Sequence, residues 1–265
     1  MIRGLRWQSE TDWRLCAAAL ANNDTRALQY ATAWFAETPI EDIQYHHHRF
    51  VAAIGRRFPK AQELAMFRPT IANVSKQLWI RATDNLRSIR WITDYLTKVN
   101  VPWAFVGNLT WQDQEDGLFK DCDCPELMIA SEAFSHVVVN LWRNEWAPPE
   151  GTDIYDTHKP VVFWGPNHKS IQIWSDAGLR QPTRTCRTVH HWETRQTRRI
   201  FHHDYPVLDL PFLMQHTLLR DTLDLQWLID LKMISDANIT SEITGPWTPG
   251  AHFLKRRIFH RLINA

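Results

Sequence analysis

Trp103-Ala104-Phe105-Val106-Gly107-Asn108, followed after twelve residues by Asp121-Cys122-Asp123-Cys124, is the stretch whose reading decides the fold. Four apolar residues halted by a glycine read as a short strand entering a turn, and the alternation over Lys120 to Cys124 reads as a second strand. Strand residues two apart point to the same face, roughly 6.5 to 7 Å from each other. Asp121 and Asp123 are therefore expected to hold one or two divalent cations between them. Magnesium takes oxygen ligands and keeps several waters, so two carboxylates plus the phosphates of a substrate complete its shell. A metal pair stabilises both the attacking and the leaving oxygen of an in-line displacement. Gly107 lets backbone N–H groups approach phosphate oxygens closely. The same residues also have plainer readings: Asp121 and Asp123 as a solvated turn or as helix caps, and Gly107 as an ordinary turn glycine.

Outward from this stretch the pattern is helical on both sides. Towards the N-terminus, Thr11-Asp12 is placed to cap a helix through LCAAALA and Asp24 one through LQYATAWFAE, and Pro39 sits at the first turn of a third through IEDIQYHHHRFVAAIGRRF. Ile71, Val74, Leu78, Leu86, Ile89, Ile92 and Leu96 then mark one face of a long amphipathic helix ending near Asn100 and Pro102. Towards the C-terminus, Ser131 to Asn144 reads as helix. Val161 to Trp164 and Ser170 to Trp174 read as a hairpin about Gly165-Pro166-Asn167-His168. From Pro206 leucine-rich helical spacing returns, closing on the basic segment HFLKRRIFHRLI. The expected organisation is α+β: a helical region over 1–98, a small mixed-sheet core over 99–204 and a helical region over 205–265.

Composition narrows the function classes. A length of 265 residues, 44% hydrophobic and 22% charged, suits a globular protein with a sizeable core. Thirty Lys and Arg against 29 Asp and Glu give no net field to draw nucleic acid or membrane, so any such attraction is local. The nine glycines nowhere form G-x-G-x-x-G or a Walker-type loop. No apolar run approaches the roughly 18 residues that span a bilayer, and the polar turn at Gln8 does not suit a secretion signal. A cytoplasmic protein without membrane contact is expected, with Cys16, Cys122, Cys124 and Cys186 reduced. The fourteen tryptophans read as packing and amphipathic surface.

The order and spacing of these segments resemble the DNA polymerase β-like nucleotidyltransferases, in which a hydrophobic residue, Gly, and Gly or Ser precede an Asp-hydrophobic-Asp pair. Here the pattern stands as V-G-N and D-C-D-C. The resemblance is closest to an uncharacterised bacterial family of that superfamily, and RWITDYLTKVNVPWAFVGN, KSIQIWS and FLMQHTLLRDTLDLQWLIDL carry it over most of residues 85–235. It implies a nucleotidyltransferase core and a protein that transfers an NMP from a metal-bound NTP to a hydroxyl of an unknown acceptor, whether small molecule, peptide, protein or RNA. Asp121 and Asp123 would hold Mg2+ or Mn2+. Gly107, Asn108 and Gln172 would contact the nucleotide, although Gln172 reads more simply as a polar outward strand residue, and His216, Trp227 and Asp230 match family positions that read more simply as helix packing and capping.

Three departures bear on activity. Asn108 replaces the small residue after the glycine but keeps an amide that donates to phosphate. Pro125-Glu126 interrupts the expected apolar strand, predicting a bend or bulge. Gln172 stands where a third carboxylate is expected, and an amide is neither base nor anionic ligand. Asp176, four residues on, would replace it catalytically if the strand turned back. The alternative is a catalytically degenerate fold that binds nucleotide, peptide or RNA.

Other clusters are weaker. C-x-C lacks zinc-finger spacing, and neither H-E-x-x-H nor G-x-S-x-G occurs. Arg180, Arg184, Arg187, Arg195, Arg198 and Arg199, with four histidines against Glu193 alone, make residues 180–203 the strongest local charge asymmetry. It reads either as an RNA- or nucleotide-neutralising surface with Trp192 for stacking, or as a solvated basic loop.

Overall fold

The computed structural model describes residues 10–107, 124–154, 156, 159–176, 192, 193, 195–200, 203–208 and 264. Helices α1 (Glu10–Leu20), α2 (Asp24–Glu37) and α3 (His48–Arg57) lead into α4 (Arg68–Lys98). Strands β1 (Trp103–Val106) and β2 (Glu126–Ile129), helix α5 (Phe134–Arg143), and strands β3 (Val161–Trp164), β4 (Ser170–Ser175), β5 (Gln196–Ile200) and β6 (His203–Val207) follow. The strands form one sheet in the order β3-β4-β2-β1-β6-β5. It is mixed: β1–β2, β3–β4 and β5–β6 are antiparallel, whereas β2–β4 and β1–β6 are parallel. The architecture is thus α+β.

Strand alternation gives the sheet two apolar faces, each with its own helical cover. Ala104, Val106 and Met128 join Leu208 and the buried residues of α1, α2 and α3 in one core, which also takes Ile71 and Val74 from the start of α4. Trp103, Phe105, Leu127, Ile129, Phe163, Ile171 and Ile173 face the other way, against α5 and the second half of α4 from Ala82 to Leu96. At 31 residues α4 is about 46 Å long and serves both cores. Its end is set by local chemistry. Asn100 adopts φ +57, and Val101 N–H donates to Leu96 O at 3.0 Å, the helix-terminating pattern that an Asn tolerates in the left-handed region.

Several expectations are refined. Asn23, one residue before Asp24, caps α2 by accepting from Arg26 N–H at 3.0 Å. Thr11 and Asp12 lie inside the first turn of α1 rather than ahead of it. The stretch after Pro39 is not one helix but two 3-10 turns, Ile40–Asp42 and Tyr45–His47, followed by α3. Of the bend or bulge expected at Pro125-Glu126, the structure shows a bend at Cys124 and no bulge in the ladder from Glu126 on. β2 begins at Glu126 in unbroken register with β1 (Val106 opposite Glu126, Trp103 opposite Ile129), and Pro125, whose missing N–H a ladder would have needed, stands just outside it. Cys124 is a bend residue, and residues 120–123 of the strand read there lie outside the described residues. Within the basic segment 180–203, for which a solvated loop was one reading, residues 196–200 form β5, and Pro206 and Val207 end a strand instead of opening a helix. The sheet therefore runs past residue 204, where the expected core ended. Leu208 alone of the leucine-rich set that begins with it lies within the described residues. Trp34, Trp103 and Trp146 are buried, as packing requires, whereas Trp79, Trp142 and Trp164 are exposed.

Candidate functional site at the Gly107 end of the sheet

β1 leaves the sheet at Gly107, whose φ of +68 is a conformation glycine adopts at no steric cost. The end of β1, the start of β2 and the start of β4 share this side of the sheet, because β1 and β2 are antiparallel and β2 and β4 are parallel. Glu126 opens β2 and is only 3% exposed. Its side chain comes to the main chain of Gly107: a methyl group at Gly107 would sit 2.3 Å from Glu126 Oε1 and 2.6 Å from its Cδ. Trp174, two residues beyond Gln172 on β4, donates its Nε1–H to Glu126 Oε2 at 3.0 Å.

Gln172 is the register partner of Glu126 on the neighbouring strand, and its N–H donates to Pro125 O at 2.9 Å. Strand alternation and the Trp174 hydrogen bond put Glu126, Gln172 and Trp174 on one face of the sheet. The structure thus brings Gly107 and Gln172 to one end, together with Glu126, a carboxylate that the sequence reading treated only as an interruption. Its signal was the acid at the first position of an otherwise apolar strand, E-L-M-I. Carboxylate and amide oxygens are hard donors, the type that Mg2+ and Mn2+ take.

Asp176 does not join them. β4 stays in register with β2 through Ser175, which lies opposite Ile129, so Asp176 follows at the far end of the sheet. Three residues of strand separate the Gln172 level from the Ser175 level, about 10 Å. Asp176 is 1% exposed and fully engaged in structure: Oδ1 accepts from Ser131 N–H at 2.8 Å and Oδ2 from Trp192 Nε1–H at 3.0 Å. Asn108, Asp121 and Asp123 lie outside the described residues, as do His216, Trp227 and Asp230. Of the basic segment, Arg195 donates to Trp103 O at 3.3 Å, and Arg199 pairs with Asp204 at 3.2 Å on the β5–β6 hairpin. Those two arginines have structural partners.

A second cluster, Asp12, His46 and His47, groups three metal-capable side chains with ligand atoms within 4.8 Å of one another. Its hydrogen bonds argue against an ion. Gln44 N–H donates to His47 Nδ1 at 3.1 Å, so the neutral ring carries its proton on Nε2 and donates it to Asp12 Oδ1, also at 3.1 Å. A cation on Nε2 would force that proton to Nδ1, against the Gln44 N–H. The cluster instead ties the Tyr45–His47 turn to α1. Cys16 is no better a ligand, since burial first and Asp12 second push its thiol pKa well up.

Burial, reinforced by His46, lowers the His47 pKa below its ordinary 6.5, while the hydrogen bond and charge of Asp12 oppose that shift. The unfolded chain then takes up the proton first as pH falls. The stabilising contribution of neutral His47 is complete above about 6.5 and is lost as pH drops through the lowered folded value. Urea unfolding as a function of pH is expected to show stability declining below 6.5, with a shallower decline in His47→Gln. Equal slopes in the two proteins would exclude His47 as the source.

No family model matches the chain, and no curated protein does. Among solved structures, an antigenic nucleotidyltransferase-like protein from Paracoccidioides brasiliensis is similar at a TM-score of 0.41 and 11% identity, over 68% of this chain and 89% of its own. A similarity of that size carries no argument about chemistry, which rests on the residues themselves. No helix among the described residues is long and apolar enough to cross a membrane.

Proposed function

We propose that the Gly107 end of the sheet binds an NTP with Mg2+ or Mn2+ and that the protein transfers an NMP to a hydroxyl of its acceptor, a small molecule, peptide, protein or RNA. One observation carries this reading: β1 stops at a left-handed Gly107 beside the carboxylate-headed start of β2, and Asp121 and Asp123 immediately precede that strand in sequence. In this reading the turn that Gly107 opens meets the phosphate oxygens through its main-chain N–H groups, and the Asn108 amide donates to them. Asp121 and Asp123 hold the cation, whose contribution when bound is to neutralise the triphosphate. Gln172 donates its amide to the nucleotide from β4.

A second reading, binding of nucleotide, peptide or RNA without transfer, is favoured by Gln172 itself. The β4 position at this end of the sheet carries an amide, and Asp176 stands at the other end. Thermal unfolding with each of the four NTPs, with and without Mg2+ or Mn2+, tests what the two readings share. Ligand at about 100 times its dissociation constant stabilises the folded state by roughly 2.7 kcal/mol, a shift of several degrees for a chain of this size. The expected outcome is a metal-dependent shift with at least one NTP, lost in Asp121→Asn/Asp123→Asn. Transfer of label from α-labelled NTP then separates enzyme from binder. No shift with any NTP would remove nucleotide binding altogether.

A further inference from the structure

We propose that the cleft between the end of α4 and the outer side of α5 binds a small aromatic anion, a carboxylate or phosphate carried on a flat apolar body. The site stands apart from the nucleotide reading and does not depend on it. It measures about 370 Å³ and is lined by Tyr95 of α4 and by Ser135, His136, Val139, Asn140 and Arg143 of α5. Small-molecule sites run from about 300 to 1,000 Å³, so the ligand is a small one. His136, Val139, Asn140 and Arg143 follow helical spacing and make one stripe along α5, about 10 Å from first to last. α4 leads into the start of β1 and α5 follows the end of β2, so the Tyr95–His136 corner lies at the end of the sheet opposite Gly107.

Charge sets the head of the ligand. Among the described residues no carboxylate lines the cleft, and Arg143 makes no ion pair there, whereas Arg90 on α4 is taken by Asp94. A guanidinium meets a carboxylate or a phosphate with two parallel N–H bonds. Asn140 Oδ1 accepts from Asn144 Nδ2 at 3.4 Å, which leaves its own amide N–H groups to donate. Tyr95 OH and His136 Nε2 are joined at 2.5 Å. With the phenol donating, the neutral imidazole carries its proton on Nδ1 as one more donor, beside the Ser135 hydroxyl. One cation and several donors thus share a cleft in which no acid repels an anion. The apolar side sets the body. The Tyr95 and His136 rings stack with centroids 6.1 Å apart and planes 19° apart, and Val139 is 42% exposed on the solvent side of the helix. A flat ring laid over Val139 covers that surface, at one end of which stand the two rings and at the other Arg143.

The test is a ligand-observed proton NMR titration of the full chain with phenyl phosphate and with benzoate, using neutral benzyl alcohol and inorganic phosphate as competitors. At least one aromatic anion is expected to bind with a dissociation constant of about a millimolar or tighter, as a ligand of roughly ten non-hydrogen atoms allows. The tighter of the two identifies the head as phosphate or carboxylate. Both competitors, each lacking either the charge or the ring, should be weaker by about tenfold or more. Arg143→Gln removes the charge from an exposed side chain and should weaken the anion roughly 10- to 100-fold. Val139→Asp sets a carboxylate in the middle of the stripe and should abolish binding; if one variant fails to fold, the other decides. Wild-type affinity in either folded variant would put the ligand elsewhere and overturn the assignment. So would benzyl alcohol or inorganic phosphate competing as well as the aromatic anion, or no binding of either anion to the wild type.

Discussion

Gly107→Ala is expected to lower the unfolding free energy by about 3 kcal/mol and to abolish the metal-dependent response to NTP. Two costs add. A left-handed backbone costs a residue with a Cβ about 1–2 kcal/mol. The new methyl group would also lie 2.3 Å from Glu126 Oε1, so the buried carboxylate must move and its bond from Trp174 is lost. A hydrogen bond to a charged group contributes about 1.5–3 kcal/mol. Gly151 provides the control, because it adopts φ +80 with nothing within 4 Å of a Cβ there. Gly151→Ala should therefore show the backbone cost alone, about 1 kcal/mol. Equilibrium urea unfolding of both variants measures the difference. Equal losses would mean that the Glu126 carboxylate yields freely and that the contact does not constrain the turn.

Arg57→Met is expected to destabilise the protein by about 3 kcal/mol, although the ion pair Arg57 makes contributes little of it. α1 ends in a buried run, Ala17 to Ala21; Ala17 O still accepts from Ala21 N–H at 2.9 Å, but the carbonyls from Ala18 on have no further helical turn to pair with. Arg57, in the last turn of α3, donates to Ala21 O at 2.5 Å, Ala19 O at 3.3 Å and Ala18 O at 3.4 Å, and also binds Asp24 at 2.6 Å. Asp24 is 78% exposed, so solvent screens that pair and Asp24→Asn should cost less than about 1 kcal/mol. Removing the guanidinium instead leaves buried carbonyls without donors, at about 1–3 kcal/mol each before relaxation and water entry reduce the sum. The ordering of the two variants in urea unfolding is the check. A larger loss for Asp24→Asn than for Arg57→Met would reverse the account.

The two faces of the sheet and the long helix were legible because they rest on periodicity. The apolar spacing from Ile71 to Leu96 holds throughout α4, and Val161–Trp164 with Ser170–Trp174 alternates as a two-stranded ribbon should. β5 was not legible, because Q-T-R-R-I at an outer position of the sheet carries polar residues on both faces and buries only Ile200. β6 was hidden by its proline, which occupies a position that sequence reasoning assigns to a break. The break after Pro39 was missed because His46 and His47 fit a helical register, and the tight turn is fixed by a local bond from Gln44 N–H to His47 and a tertiary one from His47 to Asp12. At the candidate site, Gly107 and Gln172 were legible as residues, but their meeting point was not. That depends on the parallel register of β2 with β4, which brings Glu126 beside Gln172 across 46 residues of chain and carries Asp176 away.

The parallel pairing of β1 with β6 has a consequence for biosynthesis. β1 lies in the interior of the sheet, yet one of its two neighbours comes about a hundred residues later in the chain. While the polypeptide is being made, β2 covers one side of β1 early, but the other side keeps its N–H and C=O groups unmatched until Val207 has been synthesised. An unmatched, fully apolar strand such as Trp103–Val106 is a template for pairing with another nascent chain. Premature termination between β4 and β6 would therefore release products prone to self-association, and a holding chaperone would find its binding site on a strand that the finished protein never exposes.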